Sequence, residues 1–202
     1  MGSREAFILS QRCKEIIVGT VLGDGCLERN GSNVRLKIDH SSSQRALVDW
    51  KFKELHELEP FAPRIVERWD RRTGQKHVNY RFTTRTVPVL NGFHRIFYGF
   101  GREKRVPDSM RDLLSSPLSL AVWYMDDGGR RSDCGSGYLN TNAFSVADVE
   151  VLKECLRTNF GIESKTHFAA GKPRIYVPVS QFGRFCRLIK PHVISEMEYK
   201  LL

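Results

Sequence analysis

Two nine-residue stretches decide the fold: Ile17-Val18-Gly19-Thr20-Val21-Leu22-Gly23-Asp24-Gly25 and Leu120-Ala121-Val122-Trp123-Tyr124-Met125-Asp126-Asp127-Gly128. Each is apolar on nearly all sides up to an Asp-Gly pair, which is typical of a short buried helix that stops there. Ser10 precedes the first stretch as a helix cap, and Ser116-Pro117 precedes the second as a cap followed by a first-turn proline. Asp24 and Asp127 lie 103 residues apart (127 minus 24), half the chain, so one unit is used twice.

The segments after the two stretches repeat in the same order. A turn signal at Asn30-Gly31 follows the first, and glycines at 135–137 follow the second. Ser145-Val146-Ala147-Asp148 has the pattern of a capping box. The patterns predict helices near 43–58, 87–98, 146–159 and 180–190, and further hairpins near 63–85 and 162–178. We therefore predict an α+β fold of two pseudo-symmetric αββαββα lobes, residues 1–105 and 106–202, joined by residues 99–116.

The composition is that of a basic globular chain. Of 202 residues, 41% are hydrophobic, which is enough to form a core. There are 32 Lys and Arg against 23 Asp and Glu, a net charge of +9. Residues 1–105 hold 20 of the basic and 12 of the acidic side chains, so most of the excess lies in the first half. Such an excess indicates a polyanionic partner, most often nucleic acid.

Other classes of protein are excluded by what the sequence lacks. It has no run of about 18 apolar residues, which excludes a membrane span, and no signal-peptide pattern. Its five cysteines are widely spaced without a C-x-x-C pair, which predicts free thiols in a reducing compartment. We expect an intracellular location, and the sequence does not distinguish an organelle from a bacterial or archaeal cytoplasm. No phosphate-binding glycine loop or nucleophile–base motif supports a small-molecule enzyme.

The predicted strands alternate polar and apolar residues, so each has one face on a core and one exposed face. Because a basic β-ribbon can lie in the major groove, the exposed faces are the expected DNA-binding surface. In the first lobe the candidate DNA contacts are Arg35, Lys37, Asp39, Arg64, Arg68, Arg72, Asn79, Arg81, Thr83 and Arg85. In the second lobe they are Arg130, Asn140, Lys165, His167, Arg174 and Tyr176.

Asp24 and Asp127 stand where a carboxylate is disfavoured, because the carboxyl end of a helix carries partial negative charge. An Asp-Gly pair can simply be a turn, but its occurrence at two matched positions indicates function. If the helices pack side by side, with Gly19, Gly23 and Ala121 allowing close approach, the two carboxylates converge. Such an oxygen-rich pocket favours Mg²⁺, which can assist phosphodiester hydrolysis.

At these residues the sequence resembles the LAGLIDADG homing endonucleases, specifically the single-chain, two-motif type encoded in introns. The resemblance implies a monomer whose two sheets form a saddle over DNA. It also implies Mg²⁺-dependent cleavage of both strands that leaves short 3′ overhangs, with Mn²⁺ as a substitute and Ca²⁺ supporting binding without efficient cutting. Val122 stands where the motif has glycine, so we expect looser or offset packing there.

The resemblance also assigns roles to particular residues. Asp24 and Asp127 correspond to the catalytic, metal-binding acids, and Gly23 and Asp126 to the residues whose carbonyls bind metal. The active-site lysines correspond to Lys104 and Lys200, where a nearby ammonium could stabilise phosphate charge or orient the attacking water.

The length of the strands suggests the length of the target. A nine-residue strand spans about 30 Å, or roughly nine base pairs, so two lobes cover about 18 base pairs of duplex. The alternative function is a non-cleaving relative, either an intron RNA maturase or a transcription regulator, because a fold alone does not fix function. Both acids are intact, which favours cleavage.

Overall fold

The computed structural model describes residues 8–201. The outermost residues of the two predicted lobes, 1–7 and 202, lie outside this range. Among the described residues, no helix is both long and apolar enough to cross a membrane.

The first half of the chain has the predicted order of elements. It runs α1 (Gln11–Leu22), β1 (Cys26–Asn30), β2 (Asn33–Ser41), α2 (Arg45–Glu54), β3 (Arg64–Asp70), β4 (Gln75–Thr83) and α3 (Val89–Tyr98). The Ser10 hydroxyl caps α1 by accepting from the Cys13 amide, as its position before the apolar run predicts. The predicted helix over 43–58 is confirmed, but its two ends are 3₁₀ turns, Ser42–Gln44 and His56–Leu58.

The second half repeats this order after a short added helix. It runs α4 (Met110–Leu113), α5 (Pro117–Asp127), β5 (Gly128–Arg130), β6 (Gly137–Asn140), α6 (Val146–Phe160), β7 (Lys165–Ala169), β8 (Lys172–Val177) and α7 (Val179–Ile189). The capping box predicted at Ser145 and Asp148 is present. A 3₁₀ segment that the sequence patterns did not indicate, Ser195–Lys200, ends the described chain and places Lys200 in the interior.

The two halves form two antiparallel four-stranded sheets of matching topology. The strand order is β1-β2-β4-β3 in one sheet and β5-β6-β8-β7 in the other. The alternation predicted in β2 is confirmed, because Val34, Leu36 and Ile38 are buried while Arg35 and Lys37 are partly exposed. The predicted α+β fold with two similar lobes is therefore confirmed.

Helices α1 and α5 pack against each other at the centre of the molecule, and both are almost wholly buried. Gly19 permits this contact, since a Cβ on it would overlap the Ser119 carbonyl oxygen and come within 2.7 Å of the Val122 Cβ. Val122 is fully buried and packs directly over Gly19. Of the looser or offset packing expected from Val122, looser packing is not observed, because the glycine of one helix accommodates the valine of the other.

We expect Gly19→Ala to destabilise the protein by about 1–3 kcal/mol, because the added methyl group overpacks the contact between α1 and α5. Gly92→Ala is the matched control, since Gly92 lies in α3 with open space where its Cβ would stand. That change should be neutral or stabilising by about 1 kcal/mol through helix propensity. Urea denaturation measures both variants, and equal stabilities would show that the interhelical contact is not close.

Candidate active site

The carboxyl ends of α1 and α5 meet, as their matched Asp-Gly positions predict. Asp24 and Asp127 both line one cavity of about 240 Å³. The cavity is also lined by Leu22, Gly23, Lys104 and the segment Asn140–Phe144. Close packing of the two helices therefore brings two acids that lie 103 residues apart in sequence (127 minus 24) to a single site.

Asp127 lies in an environment that opposes its ionisation. Burial raises its pKa to about 7, and the negative charges of Asp24 and Asp126 act in the same direction. Lys104 and Lys200 oppose this shift with their positive charge. Two like charges held in one partly desolvated pocket favour either a shared proton or a bound cation.

The two predicted active-site lysines lie at the ends of the two motif helices. The Lys104 Nζ donates to the Gly23 carbonyl at 2.7 Å, and the Lys200 Nζ donates to the Met125 carbonyl at 2.6 Å. Lys200 is also 3.3 Å from the Asp126 carbonyl oxygen. Burial lowers the pKa of both lysines, while the nearby aspartates favour their charged forms. Each ammonium thus satisfies carbonyls that the end of a helix leaves without a partner.

The side chain of Asp126 has surroundings that the sequence did not reveal. It is fully buried and paired with Lys51. The Lys51 Nζ lies 2.6 Å and 2.7 Å from the two carboxylate oxygens of Asp126. Lys51 is itself fully buried in α2 of the first lobe, so this pair joins the two lobes. A lysine in an amphipathic helix usually lies on the surface, so no local signal identified Lys51.

His40 is a further buried neighbour of the site. Its Nδ1 lies 3.0 Å from the Gln44 Oε1 and 3.4 Å from the Asp24 Oδ2. Burial and the Lys51 ammonium hold the pKa of His40 below its usual range, although Asp126 and Asp24 oppose the shift. This shift favours the neutral imidazole, which donates a hydrogen bond at one ring nitrogen and accepts one at the other.

The donor set suits a hard divalent cation. Asp24 and Asp127 supply carboxylate oxygens, and the carbonyls of Gly23 and Asp126 lie at the same helix ends. Among residues 8–201 no three His, Cys, Asp or Glu side chains form a metal cluster. Mg²⁺ usually binds through one or two carboxylates and fills its other positions with water and substrate phosphate, so the residues present fit it.

The exposed face of the first sheet carries paired basic and acidic groups. Asp39 accepts a hydrogen bond from the Asn79 Nδ2 at 2.8 Å and lies 3.6 Å from the Arg81 Nε and 3.4 Å from the Arg68 guanidinium. The strand register places Arg64, Asp39 and Arg81 side by side. Arg64, Arg81 and Thr83 also line a cavity of about 310 Å³ on this face. Arg35 and Lys37 both pair with Glu28 at 2.9 Å.

The exposed face of the second sheet is an aromatic and guanidinium cluster. His167 and Tyr176 stack with ring centroids 4.2 Å apart, and Arg174 lies 3.7 Å above the Tyr138 ring. Lys165 is paired with Tyr176 across the strands. The side-chain Nε of Arg174 is buried without a hydrogen-bond partner, as is that of Arg81 on the other sheet. Tyr138 was missed as a face residue because its strand spans only Gly137–Asn140.

Three of the candidate DNA contacts, Arg72, Arg85 and Arg130, lie away from these two face clusters. Arg130 is exposed at the end of β5 and aligns with Gly137 and Val177 rather than with Tyr138. Burial raises the pKa of the nearby Cys186 thiol to about 11, and the Arg130 charge opposes that shift. Arg72 lies in the turn after β3, and Arg85 lies beyond β4 beside Glu59. Asn140, by contrast, aligns with Arg174 on the exposed face of the second sheet, and its Nδ2 donates to the Asp127 carbonyl at 2.9 Å.

The arrangement of two matched acids between two basic sheets belongs to a known class of nuclease. The model of the LAGLIDADG DNA endonuclease family matches residues 14–185. The chain therefore belongs to the LAGLIDADG DNA endonuclease family, as the resemblance of its two motifs implied.

Individual relatives resemble the chain over nearly its whole length. A probable intron-encoded endonuclease of Wickerhamomyces canadensis is 27% identical over 199 residues, which covers 96% of this chain and 85% of that protein. The DNA endonuclease I-ChuI of Chlamydomonas applanata is 29% identical over 209 residues, covering 96% and 95%. The solved structure of the homing endonuclease I-WcaI bound to its DNA recognition sequence superposes with a TM-score of 0.88 at 25% identity, covering 100% and 95%.

Other relatives carry different names. The cytochrome b mRNA maturase bI2 of Debaryomyces hansenii is 28% identical over 201 residues, covering 96% of this chain and 74% of the maturase. The chain spans about half the length of the RecA protein of Mycolicibacterium chitae, with which it is 28% identical over 211 residues.

The raised pKa of Asp127 makes the stability of the metal-free protein depend on pH. Folded Asp127 keeps its proton up to about pH 7, whereas in the unfolded chain its pKa is near 3.8. Its contribution to stability is therefore present below about pH 4 and is lost as the pH rises through 7. We expect Asp127→Asn to be stabilising relative to the parent protein at pH 8 and not at pH 4, as measured by urea denaturation in EDTA.

Asp108→Asn is the control, because Asp108 is exposed and outside the site. An Asp127→Asn effect that is the same at both pH values would contradict the burial of the Asp127 carboxylate.

Proposed function

We propose that this protein is a homing endonuclease that binds a duplex DNA target of about 18 base pairs as a monomer and cuts both strands, leaving short 3′ overhangs. The observation that carries the proposal is that Asp24 and Asp127, at the ends of two matched helices, line one cavity. This cavity lies between two sheets whose exposed faces are basic. A pocket lined by two carboxylates within a positively charged surface combines phosphate attraction with a place for a cation.

The acids and the helix-end carbonyls would hold the cation. Asp24 and Asp127 would bind Mg²⁺, or Mn²⁺ in its place, together with the carbonyls of Gly23 and Asp126. A bound divalent cation supplies a Lewis acid and an activated water for phosphodiester hydrolysis. Lys104 now hydrogen-bonds to the Gly23 carbonyl, so it would have to yield that oxygen when the cation binds.

The lysines would act on the phosphate. Lys104 and Lys200 lie at equivalent ends of α1 and α5, so one ammonium faces each half of the site. An ammonium released from a helix carbonyl can stabilise the charge that develops on the phosphate oxygens or hold the attacking water. The pKa of each lysine is lowered by burial, which makes proton exchange with that water easier.

The two sheets would recognise the DNA by different means. The first presents Arg81 and Arg68 held around Asp39, which fixes guanidinium groups for reading guanine edges. The second presents Arg174 on the Tyr138 ring beside His167 and Tyr176, which favours apolar contact with thymine methyl groups as well as polar contact. The remaining exposed Arg and Lys side chains would bind phosphates and set the position of the duplex.

A second candidate function is that of an RNA maturase, and the observation in its favour is the similarity to the maturase bI2. The shared fold can bind intron RNA through the same basic faces, and this activity can coexist with cleavage. The intact pair of acids favours cleavage, since binding alone does not need two carboxylates facing phosphates.

Asp24→Asn and Asp127→Asn should each abolish double-strand cleavage, reducing it by about 100-fold or more, because each removes a direct ligand of the cation. The expected target is found by cleavage selection on a randomised DNA library with Mg²⁺. Both variants should still bind that target in Ca²⁺. Asp108→Asn is the control and should cut normally. Full activity in either variant would overturn the assignment of the active site.

Arg81→Ala and Arg174→Ala should each weaken DNA binding about tenfold at physiological salt, because each removes an arginine side chain on the exposed face of a sheet. The control is Arg157→Ala, since Arg157 pairs with Glu154 on the outer surface of α6. Fluorescence anisotropy in Ca²⁺ measures the affinities. Unchanged binding by both sheet variants would show that the DNA lies on another surface.

A further inference from the structure

The buried pair of Lys51 and Asp126 makes the surroundings of the two catalytic acids, Asp24 and Asp127, different. Asp126 immediately precedes Asp127 in sequence, but its carboxylate accepts a hydrogen bond from the backbone amide of Asp24 at 3.3 Å. The other lobe has no equivalent, because the residue before Asp24 is Gly23, which has no side chain.

The glycine and the aspartate are complementary in shape. A Cβ on Gly23 would lie 2.5 Å from both the Cβ and the Oδ2 of Asp126. Asp126 therefore occupies the space that Gly23 leaves, which explains why one motif ends in Gly-Asp and the other in Asp-Asp. The side chain of Asp126 is held there by Lys51, with both groups fully shielded from solvent.

The two acids also differ in how their backbones are held. Asp127 is the last residue of α5, so the hydrogen bonds of the helix support it. Asp24 lies one residue beyond the cap of α1, where no helical hydrogen bond holds its amide. The carboxylate of Asp126 gives that amide a partner, and the Lys51 ammonium holds the carboxylate in place.

We propose that Lys51 is a positioning residue that acts through Asp126 to hold Asp24 in the position needed to cleave one DNA strand. The inference rests on the proposed cleavage of both strands. Because a pseudo-twofold axis relates the two acids as it relates the two strands, each acid serves mainly one strand. Loss of the pair should therefore slow cleavage of one strand far more than of the other.

The test compares strand-specific cleavage rates under single-turnover conditions with saturating enzyme and Mg²⁺, on duplexes labelled on either strand. Lys51→Met should change the ratio of the two rate constants at least tenfold. Lys153→Met is the matched control, since Lys153 lies in the corresponding helix α6 and pairs with Glu150 near the surface. It should leave the ratio unchanged. Equal slowing of both strands, or no slowing, would overturn the proposal.

Two double variants keep the test valid if Lys51→Met does not fold, since a lone buried carboxylate is strongly destabilising. Both the Lys51→Met/Asp126→Asn and the Lys51→Met/Asp126→Leu proteins have an uncharged interior at this point. The asparagine oxygen can still accept from the Asp24 amide, whereas leucine cannot. We expect the Asn protein to recover most of the parent strand ratio and the Leu protein to lose it. Equal ratios in the two would overturn the proposal.

A measurement without DNA separates this proposal from the proposed function. Hydrogen exchange of the Asp24 amide, followed by NMR, should be at least tenfold faster in the Leu double variant than in the Asn one. Equal exchange rates would refute the positioning role even if the parent protein cuts DNA. A parent protein that cuts neither strand would refute the nuclease function and leave the exchange result to decide the positioning role.

Discussion

The packing of α1 against α5 is the contact on which the rest of the structure depends, because it concentrates charge at one point. It brings Asp24, Asp126 and Asp127 to the same helix ends, where like charges and the helix dipoles oppose them. Lys51, Lys104 and Lys200 reach this point from three different parts of the chain and supply the opposing charge. The site is thus nearly balanced in charge before any cation or phosphate arrives.

The charge balance is built asymmetrically within a symmetric fold. Lys104 and Lys200 are matched, since each donates to carbonyls at the end of one motif helix. The Lys51 ion pair has no equivalent in the other lobe. Lys51 pairs with Asp126, and the residue that corresponds to Asp126 in the first motif is Gly23. The two sheets differ as well, since one holds its arginines around Asp39 and the other stacks Arg174 on an aromatic ring. A single chain can diverge in this way, whereas a dimer of identical subunits cannot.

Local sequence patterns predicted most of the fold because each pattern depends on neighbours in the chain. The cap at Ser10, the capping box at Ser145 and the alternation in β2 all appear as expected. The short strands β5 and β6 were harder to assign in detail, since three or four residues show little periodicity. For this reason Tyr138 was not recognised as part of a sheet face.

The sequence by itself determined the two lobes, the two apolar helices and the two acids at their ends, because spacing and hydrophobicity encode these directly. Only the tertiary structure decided what surrounds the acids. The ion pair of Lys51 and Asp126 joins residues 75 positions apart in different lobes, and His40 reaches the site from the end of a strand. A buried lysine has the same local pattern as an exposed one, so its burial follows only from how the lobes pack together.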